Sequence, residues 1–337
     1  MSTSERLSFQ VGTGDSGKRL DIFLAQKFSY LSRERWQDEI EKGNILISGA
    51  KREISYQLKE KDIIGFTPTG IIEREVDEKY EVVFEDEFFL GVNKSGNLPV
   101  HSSGRYKNNN LVSILTRDLK AALHLANRID RETSGIVMFG KTTEAARALQ
   151  NLFQKREVRK IYIVYVYGKF PDALSAIGFL SQDKQSSVIK KKALFKEPQE
   201  GNSKASETHF ERIAESGEMA KLLAYPRTGR IHQIRASLFS LGYPVVGDKI
   251  YGRDETVFLE FIESGLTKDH IRRIGGARQA LHSHRLEFIH PFTGLKTEIF
   301  CEEPPDMQLI YATMSLQGSI KERNHKDFPD NITNDVN

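Results

Sequence analysis

Cysteine is almost absent from this chain, since Cys301 is the only one among 337 residues. A single thiol cannot form an internal disulfide, which excludes a disulfide-built scaffold and fits a reducing compartment. Long apolar runs are lacking as well, because no stretch approaches the roughly 18 apolar residues of a membrane helix. The opening residues, MSTSERLSFQ, hold no apolar signal core. We therefore expect a cytoplasmic protein without membrane association.

Charge of one sign is not in excess either. Lysines and arginines number 49 and acidic residues 46, so the net charge of +3 permits nucleic-acid binding without requiring it. The chain has no Walker loop and no dinucleotide fingerprint. His282 and His284 are spaced as a metal-ligand pair can be, but no paired cysteines accompany them, and structural histidines are the better interpretation. We expect neither a cofactor nor a metal ion.

One stretch stands out against these absences: residues 127–141 read NRIDRETSGIVMFGK. The apolar run at 136–139 is short and is bounded by Gly135 and Gly140, which is typical of a buried strand. The polar half of the stretch therefore lies on a loop at the entrance of that strand.

Asp130 lies on this loop between Arg128 and Arg131. Nearby positive charge favours the ionised form of a carboxyl, so this side chain is expected to be charged at pH 7. A carboxylate held on a rigid loop can act as a nucleophile or a base. Taken alone, the stretch is explained at least as well by a solvated ion pair that only ties the loop down.

A second stretch, residues 226–251, reads PRTGRIHQIRASLFSLGYPVVGDKIY. It predicts a turn at 228–230 and a helix over 231–241, with Arg235 pointing from the first turns of the helix toward the loop. The two stretches together resemble the Rlu-type pseudouridine synthases, which isomerise uridine in RNA. In that family an (H)R-L-D-x-x-T-S-G loop carries the catalytic aspartate, and a later T-G-R-x-H-Q-I-R segment carries an arginine that pairs with it.

The resemblance implies a set of site residues. Asp130 would be the catalytic acid, held ionised by Arg235, and Tyr162 of the family's V-x-K-x-Y motif would stack on the uracil. Lys160 of the same motif and Arg128 would support the site. Read from the residues alone, Tyr162 is equally a core aromatic of a strand, and Arg235 a cation on a helix surface.

The chain departs from the family's motif in the central loop. The usual histidine before the arginine is Asn127 here. Because this residue neighbours the acid and is not the acid itself, we expect activity to survive with altered local hydrogen bonding. A rival interpretation is a non-catalytic RNA-binding protein in which Asn127 marks a decayed site.

Residues 17–66 carry a separate pattern, with two short helices, the second capped by Ser32, followed by short strands near 44–49 and 62–64. The motifs RLDIFL, SR, I-x-x-G-x-I-x-I-S-G and L-x-x-K-D-I resemble the RNA-binding domain of ribosomal protein S-four. Ser48 and Lys61 replace its usual asparagine and glycine. Candidate phosphate contacts are Lys18, Arg19, Arg33, Arg35, Lys51 and Arg52, with Arg230 from the second stretch. The competing interpretation is a helical cap with an ordinary charged face.

The expected organisation is a flexible arm or edge strand over 1–16, the front domain over 17–66, a linker over 67–79, a catalytic domain over 80–312 and a polar disordered tail over 313–337. The expected fold is α+β, a mixed, mainly antiparallel sheet with flanking helices, preceded by a small α/β RNA-binding domain. Further predictions are helices over 111–125 and 256–274 and a solvated hairpin over 181–203.

The function implied by the resemblance is an isomerase that converts specific uridines of structured RNA into pseudouridine. The front domain is more usual in synthases of large-subunit ribosomal RNA, so ribosomal RNA is the expected partner of a monomeric enzyme, with tRNA as the alternative. A carboxylate-based hydrolase of a small substrate is a further rival, but such an enzyme has no use for an RNA-binding domain.

Overall fold

A computed structural model describes residues 7–28, 33–66, 73–102, 106–188, 190–317 and 321–322. They group into two compact units, one drawn from residues 1–75 and 101–110 and the other from 76–100 and 111–337. No helix in the described part of the chain is long and apolar enough to cross a membrane.

The first unit packs two helices on a small sheet. Its elements are β1 (Leu7–Gln10), α1 (Leu20–Lys27), α2 (Arg33–Glu41), β2 (Ile45–Ile47) and β3 (Ile63–Phe66). The strands pair antiparallel in the order β1-β3-β2. The apolar helix faces and the strands share one core, with Trp36 fully buried in it. The pairing of Leu7–Gln10 with β3 means that the predicted flexible arm is an ordered edge strand there.

The two departures from the S-four motif in this unit share a backbone conformation. Ser48 and Lys61 both have left-handed backbones, with φ of 50° and 69°. Asparagine and glycine adopt that conformation at lower cost than other residues. Ser48 and Lys61 therefore occupy turn positions at which asparagine or glycine would be less strained. The predicted cap at Ser32 lies outside the described residues.

The second unit is built on one large sheet. Its elements, in chain order, are β4 (Tyr80–Glu85), β5 (Phe89–Lys94), α3 (Leu111–Leu119), β6 (His124–Leu125), β7 (Ser134–Gly140), α4 (Thr143–Lys155), β8 (Arg159–Tyr167), β9 (Ala173–Gln182), β10 (Lys192–Phe195), β11 (Lys204–Ser216), β12 (Met219–Pro226), α5 (Gln233–Ser240), α6 (Thr256–Ser264), α7 (Lys268–Ile274), β13 (Leu281–Ile289), β14 (Lys296–Phe300), α8 (Pro305–Gln317) and β15 (Lys321–Glu322).

The main path of the sheet runs β10-β9-β11-β12-β8-β13-β7-β5-β4, with β14 beside β13, β15 beside β11 and β6 beside β7. Among the described strands the β13–β7 pair is parallel, and the other pairs are antiparallel. The predicted α+β class with a mainly antiparallel sheet is therefore confirmed. The pairing in the predicted hairpin over 181–203 is also confirmed, since β10 pairs with β9. Its predicted solvation was wrong in part, because Val188 and Lys191 are buried.

Three predicted helices were wrong in extent, and backbone geometry explains each. The helix predicted over 111–125 ends at Leu119 because Lys120 is left-handed, and residues 124–125 pair with β7 instead. The helix predicted over 256–274 is two helices, broken at Gly265 with φ of 81°. The helix predicted from 231 begins at Gln233, because His232 is also left-handed.

The predicted disordered tail was wrong over its first residues. Helix α8 continues to Gln317, and residues 321–322 pair with β11. Met307 of this helix is fully buried in the core that contains Ile161 and Tyr165 of β8. Burial of one apolar face thus stabilises α8, although the sequence of its last turns is too polar to predict a helix. The tail after residue 322 lies outside the described residues.

The buried strand predicted in the central stretch is β7, and every residue in it is buried. Its second residue, Gly135, has φ of 109° and lies against the backbone of Ser283 in β13. A β-carbon there would lie 2.2 Å from the Ser283 carbonyl oxygen. The loop before β7 therefore depends on a position that only glycine can occupy.

Replacement of Gly135 tests this constraint. Gly135→Ala is expected to lower the free energy of unfolding by about 3 kcal/mol, from the backbone clash and the left-handed strain together. The control is Gly229→Ala, where no atom lies within 4 Å of the added carbon, so the expected change is within about 0.5 kcal/mol. Urea unfolding measures both, and equal losses would contradict the close approach.

Candidate active site

A cleft of about 450 Å³ opens in the second unit. Its walls come from residues 126–130 before β7, the end of α4, strand β8, and the segment that joins β12 to α5. Six residues singled out in the sequence line this one cleft. They are Arg128, Asp130, Lys160, Tyr162, Arg230 and Arg235.

The centre of the site is a chain of three charged side chains. Arg235 donates from Nη1 to Asp130 Oδ2 at 3.0 Å. Its other two nitrogens hold Asp248 in a fork, Nε to Oδ2 at 2.6 Å and Nη2 to Oδ1 at 2.8 Å. Asp248 is fully buried and Arg235 is 5% exposed, whereas Asp130 is 29% exposed. The chain of charges therefore runs from the protein interior to an acid that meets the cleft.

Asp248 is itself fixed by the backbone. The amides of Ile250 and Tyr251 both donate to its Oδ1 at 2.9 Å. Because Arg235 is held through two bonds to a fixed carboxylate, its third donor is aimed at Asp130. Asp248 stands in the stretch that carries the resemblance, but its role as the buried partner of Arg235 was not predicted from the sequence.

The loop that carries Asp130 is clamped from behind. The Thr133 amide donates to the Asp130 carbonyl at 3.1 Å, which closes a turn, and Gln279 Nε2 donates to Thr133 Oγ1 at 2.7 Å. Lys94 donates to the Arg131 carbonyl at 3.1 Å. Burial, with the neighbouring Arg278 guanidinium, holds the pKa of Lys94 well below its usual value.

Glu132, the other acid of the loop, is engaged elsewhere. It accepts from Arg131 at 2.6 Å and from Lys249 at 2.9 Å. Asp130 is therefore the loop acid that meets the cleft.

Electrostatics favour the ionised form of Asp130. Burial opposes ionisation, but the positive charges of His232 in its protonated form, of Arg235 and of Arg128 outweigh it, so the pKa of Asp130 lies below its ordinary value. Burial also lowers the pKa of His232 to about 4. That imidazole is neutral at pH 7, which leaves the Arg235 guanidinium as the principal cation beside the acid.

His232 lines the cleft but was not among the predicted site residues. Its backbone is left-handed, with φ of 61°, and its Nδ1 lies 3.0 Å from the Tyr251 hydroxyl. Left-handed backbone at a residue other than glycine is uncommon and concentrates at functional sites. Its place between Arg230 and Arg235 in the second stretch was the signal available from sequence.

Two residues of β8, the aromatic Tyr162 and the cationic Lys160, line the same cleft. Burial raises the pKa of Tyr162 to about 12, so its phenol keeps its proton at neutral pH. Lys160 donates to the Thr228 carbonyl at 3.1 Å. Because Lys160 and Tyr162 are two residues apart on one strand, their side chains project to the same face of the sheet.

Asn127 is bonded to the sheet. Its Oδ1 accepts from the Met138 amide of β7 at 2.7 Å. The side chain thus ties the loop to the strand that follows it. This hydrogen bond therefore has a structural role. Asn127 also lines the cleft.

The candidate RNA contacts of the first unit differ in their partners. Arg19 and Arg33 pair with the fully buried Asp21 at 3.1 and 2.7 Å and remain about half exposed. Burial raises the pKa of Asp21, but hydrogen bonds from Gln37 and the two arginines lower it to about 2.

The remaining cations of the first unit have other contacts. Lys18 pairs with Asp15 at 2.7 Å. Lys51 donates to the Glu41 carbonyl at 2.5 Å, and Arg52 lies over the Tyr56 ring at 5.1 Å. Arg35 is exposed on α2. Arg19, Lys51 and Arg52 line one shallow pocket.

His282 and His284 are accounted for by nearby contacts. His282 Nδ1 lies 3.0 Å from Ser134 Oγ, and its Nε2 lies 3.2 Å from Cys301 Sγ. His284 Nδ1 lies 2.8 Å from the Cys301 carbonyl. Within the described ranges no group of three His, Cys, Asp or Glu residues is placed to hold a metal ion.

Comparison with known proteins gives consistent results. Residues 89–240 match the family model described as RNA pseudouridylate synthase. Ribosomal large subunit pseudouridine synthase D of Zymomonas mobilis is 30% identical over 319 residues, which are 89% of this chain and 95% of that protein. The mitochondrial tRNA pseudouridine(32) synthase of Saccharomyces cerevisiae is 30% identical over 241 residues, 71% of this chain and 51% of that protein.

A solved structure shares the fold. The protein titled Human RNA Pseudouridylate Synthase Domain Containing 4 aligns with a TM-score of 0.55 at 21% identity. The alignment covers 72% of this chain and 94% of the other. The likeness extends over most of both chains and agrees with the sheet described above.

Asp248→Asn tests the buried pair behind the site. The change is nearly isosteric but leaves Arg235 buried without its forked partner, so we expect the free energy of unfolding to fall by about 3 kcal/mol. The control is Asp269→Asn, which breaks an exposed pair with Arg272 and should cost less than about 1 kcal/mol.

The pH dependence of that loss has a definite sign. The folded-state pKa of Asp248 lies below its ordinary 3.8, chiefly because Arg235 outweighs the effect of burial. Its contribution is therefore complete above about pH 4 and is lost as pH falls through the lower folded-state pKa. Urea unfolding should show a gap between wild type and Asp248→Asn that is constant above pH 5 and narrows below pH 4. A gap no larger than that of Asp269→Asn would refute the buried pair.

Proposed function

Since the chain belongs to the RNA pseudouridylate synthase family, we propose that it isomerises specific uridines of structured RNA through Asp130. The observation that carries this proposal is the geometry at the cleft. An ionised carboxylate lies 3.0 Å from an arginine that is itself locked to a buried acid. Such a group is aimed and charged before substrate arrives, and this pre-organisation is what electrostatic catalysis requires.

The target uridine must leave its base stack to reach a carboxylate inside a cleft. The cleft then offers the neutral phenol and ring of Tyr162 as a surface for the uracil. Arg128, on the loop beside the acid, is placed to contact the backbone or to fill the space that the base vacates.

The reaction breaks the bond between uracil N1 and ribose C1′, turns the base, and joins C5 to C1′. The C5 proton leaves and N1 takes up a proton, so the change is redox-neutral. Asp130 serves either route to the first step, by attack on the ribose carbon or by removal of a ribose proton. Both routes require the carboxylate to be ionised, and Arg235 maintains that state.

The target that we propose is large-subunit ribosomal RNA. The Zymomonas mobilis relative, similar over 95% of its length, is named for the large ribosomal subunit. The first unit, with its S-four-like motifs, would supply affinity for folded RNA. The second candidate is tRNA, favoured by the name of the yeast relative. Mapping pseudouridines in both RNA classes from cells lacking this protein distinguishes them.

We also propose a monomeric, cytoplasmic enzyme. One cysteine in the chain fits a reducing compartment. The candidate site is drawn from a single chain, with the acid, the arginine and the tyrosine all within the second unit.

Asp130→Asn tests the chemical proposal. The substitution keeps the side-chain shape and leaves Arg235 paired with Asp248, so the fold should persist. It removes the negative charge, and loss of an essential nucleophile typically lowers the rate by several orders of magnitude. RNA binding should survive, because the substitution removes a negative charge that would repel RNA phosphate.

The measurement is pseudouridine yield, by chromatographic separation of the digested nucleosides, on RNA from cells lacking the protein. Asp118→Asn, at an exposed acid on α3, is the matched control and should retain full activity. A yield for Asp130→Asn within about tenfold of wild type, a barrier change of only about 1.4 kcal/mol, would eliminate Asp130 as the catalytic acid.

A double substitution in the first unit tests its role in affinity. Lys51→Gln with Arg52→Gln removes two exposed cations whose contacts are a carbonyl and an aromatic ring. We expect weaker RNA binding, with the slope of log affinity against log salt reduced by about one to two. Turnover at saturating RNA should be unchanged. Lys18→Gln, which removes a cation already paired with Asp15, should change the slope less, and an unaltered slope in the double variant would count against the role.

A further inference from the structure

One wall of the cleft carries three cations, Arg156, Lys160 and Arg230. Lys160 donates to the Thr228 carbonyl at 3.1 Å, and Arg230 Nε donates to the Ala205 carbonyl at 2.9 Å. Both acceptors are neutral. Across the described part of the chain, no ion pair forms within 4.0 Å for any of the three, whereas many other cations of this unit have a carboxylate partner.

The three charges act on one another. The pKa of Lys160 is lowered to about 8, first by burial and then by the positive charges of Arg156 and Arg230. Like charges in a partly buried wall repel strongly, because the local dielectric constant is low. An anion bound at this wall would relieve that repulsion.

The backbone at Arg156 adds an independent observation. Arg156 is the C-cap of α4 in a left-handed conformation, with φ of 62° and ψ of 29°, and its amide donates to Leu152 and Phe153. Glycine is the usual residue at such a position, because a side chain there strains the left-handed backbone. A long cationic side chain is present nevertheless, and it is exposed and faces the cleft.

We propose that Arg156, Lys160 and Arg230 together bind a backbone phosphate of the RNA beside the flipped uridine. This inference rests on the proposed function and extends it to the nucleotide next to the target. Guanidinium groups hold phosphate through paired hydrogen bonds, and Lys160 adds a point charge. Lys160 lies two residues from Tyr162 on β8, a distance of about 7 Å along the strand. The phosphate site and the base site are therefore adjacent and rigidly linked.

The test removes the cation without disturbing the helix end. Arg156→Gly suits the left-handed backbone, so the thermal midpoint should be equal to or above that of wild type. Arg156→Lys restores charge as a rescue. The control is Arg147→Ala, which removes an exposed arginine on the same helix that does not line the cleft.

The probe is a fluorescein-labelled ten-nucleotide oligouridylate, compared with the same oligomer carrying neutral methylphosphonate linkages. Fluorescence anisotropy between 50 and 200 mM salt should show three- to tenfold weaker binding of the phosphodiester by Arg156→Gly. The salt slope should fall by about 0.7, the value for one contact to a single strand. Arg156→Lys should recover most of the affinity, and binding of the methylphosphonate oligomer should not respond to the substitution.

Two results would overturn the phosphate site. One is phosphodiester binding by Arg156→Gly equal to that of Arg147→Ala, which would assign Arg156 to the helix end alone. The other is an equal loss with both oligomers. Pseudouridine yield by the wild-type protein separates the two proposals. If the wild-type protein forms pseudouridine but Arg156→Gly binds the phosphodiester normally, the phosphate site is rejected. If the wild-type protein forms no pseudouridine but Arg156→Gly binds the phosphodiester more weakly, the phosphate site is supported and the catalytic function is rejected.

Discussion

The interaction on which the site depends is the buried contact of Arg235 with two acids. An arginine that is 5% exposed cannot remain charged in a protein interior without a partner, and Asp248 supplies a fully buried one. The fork between them leaves one guanidinium nitrogen for Asp130 at 3.0 Å. The orientation of the reactive acid is thus set by a pair that lies beneath it, away from the cleft.

The loop of Asp130 is rigid for a related reason. Its carbonyls and hydroxyl are held by side chains from outside the loop, including Lys94 of β5 and Gln279 before β13. Gly135 allows the following strand to lie directly against β13. A loop fixed in this way needs little reorganisation during the reaction, and that is where enzymes gain most of their electrostatic advantage.

The cations of the protein fall into two groups by their partners. Arg19 and Arg33 neutralise a buried acid in the first unit, and Arg235 does so in the second. Within the described residues, Lys160 and Arg230 donate hydrogen bonds to neutral carbonyls and form no ion pair, and Lys51 in the first unit does the same. The charge of a paired cation is offset by its acid, whereas a cation without an acid keeps its charge available for an anionic ligand. Net charge alone, at +3, does not reveal this distinction.

The sequence by itself determined the α+β class and the buried strand after the central loop, and its resemblance to a known family pointed to the cleft residues Asp130, Tyr162 and Arg235. These follow from local apolar patterns and from short motifs, which a linear sequence displays directly. Tertiary structure decided what the patterns cannot encode. Asp130 and Arg235 lie 105 residues apart, and the pairing of Asp248 with Arg235 depends on how a turn folds back on α5. The left-handed backbone at Lys120 ends one helix early, and the one at His232 makes another helix begin late. Side-chain periodicity predicted longer helices at both places, because it shows which face of a helix is apolar and not where the backbone leaves the helical conformation.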